Sequence, residues 1–233
     1  RGRQRLEGAA PDAAMNGDHT LRGLMYLAVT VGGLVACGGD AGPHEPVRSY
    51  RMGFSAIPPR PDTALLLPTL ELWTQRADAG LVQLSVPWDV LLAGTAAATE
   101  VRLVRLPLVN YYRGKGLAVV VALDVTNGLD RSAEDPTLVS LNRSITDTMV
   151  QRLYREYVSG ADSILQPTYL SLAAETNLVR LAAPAPVYNA VIAMTNAAAQ
   201  HEQALGTITK LMVSVQVEVA WGRLQGGTTY VGI

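Results

Sequence analysis

The sequence has one cysteine, Cys37, and three histidines, at positions 19, 44 and 201. A single thiol excludes an intrachain disulfide framework and any zinc site built on several thiolates, and histidines so spaced form no metal-ligand cluster. No metal or other cofactor is indicated. An excess of charge of either sign is also missing, since 19 Lys and Arg stand against 20 Asp and Glu. Without a basic surplus to neutralise phosphates, a nucleic-acid partner is not expected. The longest apolar run, near the N-terminus, is short of the roughly 20 residues a membrane-spanning helix needs. What the sequence does have is apolar material. At 48% hydrophobic over 233 residues it is too rich for general disorder and sufficient for one sizeable core.

Residues 24–37 are uncharged, have the length of a signal-peptide core, and follow Arg22 and a plausible initiator, Met15. Their last four residues, Leu34-Val35-Ala36-Cys37, resemble the lipobox of bacterial lipoproteins. That resemblance implies export, with Cys37 lipid-modified and anchored to the bacterial cell envelope. The competing reading is a buried cysteine in an apolar helix, but such a helix would contain Gly32-Gly33 and run into Gly38-Gly39. On this division residues 1–14 are an upstream extension or artefact, 15–37 a leader, 38–49 a Gly- and Pro-rich tether, and 50–233 the folded domain.

Beyond the tether, short apolar runs alternate with longer helical patterns, the signature of parallel strands joined by helical crossovers. Five strands are expected, over 53–57, 81–86, 117–123, 168–174 and 211–217. Asp62 is placed to cap a first helix containing Pro68, and a less regular helical segment spans 95–112. Asp135-Pro136 opens a long helix to Gly160, with Leu138, Leu141, Ile145, Met149, Leu153 and Tyr157 on one face. A further helix starts near Pro186 and ends near Gly206.

Strand parity separates the faces. Val82, Leu84 and Val86 alternate with Gln83 and Ser85, and Val213, Val215 and Val217 alternate with Ser214, Gln216 and Glu218. An open doubly wound sheet has helices on both faces and should be apolar on both. Polar faces therefore favour an α/β fold of the (β/α)8 TIM-barrel kind, whose inward positions tolerate polar groups near the carboxyl ends of the strands. Five units are expected here where a closed barrel has eight, so the domain reads as a barrel truncated C-terminally after about five strands.

Carboxylates at a barrel rim, beside aromatic rings, are the parts needed to cleave a glycosidic bond: one protonates the leaving oxygen, another attacks the anomeric carbon or activates water, and ring faces stack on the sugar. Glu175, at the end of the fourth strand, is the expected catalytic acid/base; its alternative is a structural carboxylate paired with an arginine such as Arg180. Trp88 and Asp89, after the second strand, suit stacking on a sugar and binding its hydroxyls, and packing of Trp88 under a loop is the alternative. Asp124 suits a hydroxyl or a turn with Asn127-Gly128. Glu218 suits substrate orientation or an internal hydrogen bond, and Trp221 is a further stacking candidate.

The order of Arg51-Met52-Gly53-Phe54-Ser55, Gln83-Leu84-Ser85-Val86-Pro87-Trp88, Val119-Val120-Val121-Ala122-Leu123-Asp124, Ala173-Ala174-Glu175-Thr176-Asn177 and Val215-Gln216-Val217-Glu218-Val219-Ala220-Trp221 resembles the first five βα units of a TIM-barrel glycoside hydrolase, close to the arabinogalactan endo-β-1,4-galactanase type. The resemblance covers about residues 50–222. It implies a retaining hydrolase with a strand-four glutamate as acid/base, a role it places on Glu175, and a strand-seven glutamate as nucleophile, which has no counterpart here. Such families usually carry Asn immediately before the acid/base; this chain has Ala174 there and Asn177, a substrate-binding candidate, two positions after. The expected partners are a polysaccharide or oligosaccharide and, through the lipid anchor, a membrane. Two rival readings are a non-catalytic carbohydrate-binding lipoprotein and an α/β solute-binding module of a transporter.

Overall fold

The computed structural model describes residues 49–55, 60 and 62–223. The extension, the leader with Cys37, and all but the last residue of the tether lie outside the described residues, as does the end of the expected first strand.

Five strands, β1 (Gly53–Ser55), β2 (Ala79–Ser85), β3 (Ala118–Asp124), β4 (Tyr169–Ser171) and β5 (Lys210–Met212), form one sheet in the order β1-β2-β3-β4-β5, every neighbouring pair parallel. The segments between them are largely helical: α1 (Leu66–Thr74), α2 (Trp88–Leu92), α3 (Ala97–Glu100), α4 (Leu106–Gly114), α5 (Pro136–Ser140), α6 (Thr148–Gly160), α7 (Thr176–Ala182) and α8 (Ala185–Ala204), with a short α9 (Val217–Ala220) after β5. In this sequential order each crossover advances one strand in the same direction. Right-handed crossovers then all fall on one side of the sheet.

Burial follows that geometry. Val82, Leu84, Val119, Val121, Leu123 and Leu170 are almost wholly excluded from water, whereas the alternate residues Leu81, Gln83, Val120, Ala122 and Tyr169 are partly or largely exposed. The helical side is packed closely. A Cβ added to Gly80 would stand 2.7 Å from the Tyr112 ring, so the bare glycine lets α4 settle its tyrosine directly onto β2. The structure is therefore α/β with a one-sided helical layer and an open face of mixed polarity.

Local chemistry explains where helices start and stop. Asp62 Oδ1 accepts from Ala64 N at 2.9 Å and opens a 3-10 turn that leads into α1, and Pro68 falls in the first turn, where its missing N–H costs no intrahelical bond. The segment expected as one irregular helix over 95–112 is α3, a π-helical turn Val101–Arg105, and α4, with Pro107 again in a first turn.

The expected single helix from Asp135 to Gly160 is two helices. Asp135 Oδ1 accepts from Thr137 N at 2.8 Å to cap α5, and Asn142 at φ 53° stops it. Glu134 then holds the break, accepting from Ile145 N through Oε2 at 2.6 Å and from Ser144 Oγ through Oε1 at 2.9 Å. Of the expected face, Leu138, Ile145, Leu153 and Tyr157 are buried, whereas Leu141 and Met149, on either side of the break, face water, and α6 also buries Val150, Tyr154 and Val158.

β4 and β5 are shorter than the expected 168–174 and 211–217. Pairing continues loosely past their ends, with Leu172 N donating to Met212 O at 2.8 Å and Ser214 N to Ala173 O at 3.0 Å. Glu218 does not lie on a strand: Gln216 Oε1 accepts from Glu218 N at 3.3 Å, and the chain turns into α9.

Buried phenols give the fold a pH dependence. Burial first, and the neighbouring Tyr111 second, push Tyr112 from 10.0 up to about 12, and burial raises Tyr154 and Tyr157 as well. A phenol raised in the folded state adds stability that is complete below pH 10.0 and is lost as the pH climbs through its folded value. The urea midpoint is expected to show no tyrosine-linked fall up to pH 10.0 and to drop between there and about 12, with tyrosinate absorbance at 295 nm rising in step with unfolding. Tyrosinate that appears fully near pH 10 in the still-folded chain would contradict this.

Candidate functional site at the carboxyl ends of β2 to β4

Register brings polar groups to one end of the open face. Ser85 pairs with Asp124 at the C-terminal ends of β2 and β3, and Ala122 pairs with Ser171 on β4, four residues before Glu175. The chain after β3 folds back on itself over 126–134. Thr126 and Glu134 form an antiparallel bridge, Asn127 N donates to Ala133 O at 3.2 Å, and Asn127 Oδ1 accepts from Leu129 N at 2.9 Å. Asp130 accepts from both Ser132 Oγ and Ser132 N, and these bonds hold its carboxyl below the ordinary value.

That loop turns Arg131 inward between two strand ends. Arg131 Nη1 donates to Asp124 Oδ1 at 2.5 Å, to Thr126 Oγ1 at 3.0 Å and to the Asn127 carbonyl at 3.4 Å, and its Nε donates to Glu175 Oε2 at 2.9 Å. The Arg131 side chain is 5% exposed, Asp124 6% and Glu175 32%. Burial alone would depress the guanidinium, but the bonds and charges of Asp124 and then Glu175 outweigh it and raise it above its ordinary value. One guanidinium thus spans two carboxylates, one sealed and one open to solvent.

Glu175 is in the left-handed region, φ 50° and ψ 42°, directly before α7. A helix N-cap usually has extended dihedrals, and a non-glycine residue held left-handed is a mark of local strain that tends to gather at functional positions. Two anchors hold the peptide there: Glu175 N donates to Ser214 Oγ at 3.0 Å, and Thr176 N donates to Ser214 O at 3.1 Å.

Beside the bridge lies a cleft of about 730 Å³, lined among others by Ser85, Asp89, Arg105, Asp124, Thr126 and Asp135. Its walls offer hydroxyls and carboxylates rather than rings. Among the described residues no three His, Cys, Asp or Glu side chains are grouped to hold a metal ion. No described helix is long and apolar enough to cross a membrane.

The residues singled out from the sequence fall into two groups. Asp89, in the first turn of α2, and Asp124 line the cleft, and Glu175 joins Asp124 through Arg131. The others have different surroundings. Trp88 is fully buried in the core, so its indole packs beneath the strand ends and presents no face to the cleft. Asn177 is 2% exposed and its amide is spent on Gln216, accepting from Gln216 N at 2.7 Å and donating to Gln216 O at 2.8 Å. That double bond stands in for a ladder pairing and draws the chain after β5 toward α7. Glu218 is exposed in the first turn of α9, and Trp221 is 69% exposed with the Arg223 guanidinium 5.7 Å from its ring centre. Sequence reading missed Arg131 and looked to Arg180 as the counter-ion. The available signal was slight: Arg131 is the only cation between Lys115 and Arg143, in a turn-rich stretch directly after Asp124.

Neither a comparison with protein-family models nor one with curated proteins finds a match for this chain.

Proposed function

We propose that the chain forms the first five units of a (β/α)8 barrel of the glycoside-hydrolase kind and that its cleft takes a polysaccharide, with Glu175 as the acid/base for the glycosidic oxygen. The observation that carries this reading is the placement of Glu175: strained, one-third exposed, four residues beyond the end of the parallel strand β4 at the mouth of α7, and tied through Arg131 to the strand-end carboxylate of Asp124. Strand ends on the open side of such a sheet are where barrels keep their chemistry. The chemistry asked of Glu175 is to give a proton to the leaving oxygen and take it back from water, while Asp89 and the hydroxyls of Ser85 and Thr126 bind sugar hydroxyls.

The nucleophile that the galactanase resemblance assigns to a seventh strand has no place among the described strands. A single acid/base without that partner carboxylate should bind glycan and not turn it over. The rival reading, carbohydrate binding without catalysis, is favoured by the tie itself, because a carboxylate engaged by Arg131 already serves a hydrogen-bonding role. The reading also includes export and lipid attachment at Cys37, which rest on the leader pattern of residues 24–37.

Affinity electrophoresis of the 233-residue chain through gels containing neutral plant polysaccharides, β-1,4-galactan among them, tests the site. Retardation by at least one polysaccharide is expected, weakened in Asp89→Ala, with no reducing sugar released. Mobility unchanged in every gel, or release of reducing sugar by the chain, contradicts the proposal. For the anchor, expression in a Gram-negative bacterium with an alkyne fatty acid should label the native chain and not Cys37→Ser, and equal labelling of the two would remove the lipid assignment.

A further inference from the structure

We infer that Arg131 is a positioning residue that sets the direction of the Glu175 carboxylate, and that the loop over 126–134 exists to present it. This inference rests on the reading of Glu175 as the reactive carboxylate and adds the group that aims it. The division of labour within the guanidinium carries the argument. Nη1 makes all its bonds to β3 and its own loop: Asp124 Oδ1, Thr126 Oγ1 and the Asn127 carbonyl. Those three bonds tie the guanidinium to β3 and its own loop. The Nε bond goes elsewhere, across to Glu175 on the next strand end, where the carboxylate is open to solvent and buries little.

The carrier is built to be stiff. The Thr126–Glu134 bridge closes the loop at its base, Asp130 locks Ser132 next to Arg131, and Glu134 continues into the bonds with Ser144 and Ile145 that stop α5 from running into α6. Asp124 in turn is 6% exposed and accepts from Arg131 at 2.5 Å, so the guanidinium has one fixed end and one working end. Glu175 needs such a guide, since a left-handed residue at the mouth of a helix has no neighbouring turn to steer its side chain. A lysine would not serve. Its ammonium is a single point at the end of a flexible stem and lacks the fixed angle between Nε–H and Nη1–H that addresses two carboxylates at once.

The test reads the carboxyl groups directly. The full chain and its Arg131→Lys and Arg131→Gln variants are treated with a water-soluble carbodiimide and glycinamide, and modification at each Asp and Glu is timed by peptide mass spectrometry. Loss of one charge-assisted bond should speed modification of Glu175 by about fivefold in both variants. In Arg131→Lys, which keeps a positive charge beside Asp124, the buried Glu202 and Asp162, outside the cleft, should keep their native rates. Parallel acceleration at Glu202 and Asp162 in Arg131→Lys, or a native rate at Glu175 in that variant, overturns the inference; Arg131→Lys decides even if Arg131→Gln does not fold. Because the readout counts carboxyl groups and not cleaved bonds, selective acceleration at Glu175 in a chain with no glycan affinity would remove the hydrolase reading and leave the positioning role standing.

Discussion

A guanidinium taken out of water has to be met by negative charge and hydrogen-bond acceptors, and the rim of this sheet is organised around that requirement. Arg131 is 5% exposed and is satisfied by Asp124, Thr126, the Asn127 carbonyl and Glu175. Removing one partner of such a buried pair typically costs about 3–5 kcal/mol, because the remaining charge is stranded. The ends of β3 and β4 and the loop between β3 and α5 are therefore held as one unit. The cleft beside them inherits its shape from that unit.

The bridge can form only because of how the sheet is covered. Sequential parallel strands with helices on one side leave the other side free, and the register that pairs Ser85 with Asp124 and Ala122 with Ser171 brings the polar ends of three strands to one edge. A strand buried on both faces could not end in a carboxylate beside a cleft without stranding it among apolar groups. The packed side supplies the stability for this arrangement. Val121, Leu123, Leu170 and Tyr154 are fully buried, and the Tyr154 hydroxyl donates to Leu172 O at 2.5 Å, fastening the helical layer just behind the end of β4.

Strand order was legible in the sequence, and so was parity in β2, because period-two alternation records which face meets a helix; in the fifth expected strand it failed, since β5 ends at Met212 and Val215 and Val217 are exposed. Val82 and Leu84 against Gln83 and Ser85 is the case in point, and those residues divide between the two faces as the pattern implies. Breaks inside apolar patterns were not legible. The single helix expected from Asp135 to Gly160 fails at Asn142 because Glu134, a residue outside the pattern, takes up the donors of Ser144 and Ile145. Glu218 leaves the strand for a similar reason, since the Asn177 amide captures the backbone of Gln216 in place of a ladder. Both rely on side-chain bonds to backbone in another segment, and spacing along one segment carries no trace of them. The same holds for the site. Asp124 ends β3 as expected and Glu175 follows β4 by four residues, but the cation that joins them comes from a loop whose fold depends on its own turn bonds.

The coupling between Arg131 and Glu175 tests this account most directly. A double-mutant cycle of Arg131→Met and Glu175→Gln, followed by urea unfolding at neutral pH, isolates their interaction from everything each makes elsewhere. A coupling of about 1 kcal/mol is expected, below that of a fully buried pair because Glu175 is 32% exposed. Additive losses, with a coupling indistinguishable from zero, would mean that the guanidinium does not hold the strand ends together, and the reading of the rim as one functional unit would fall.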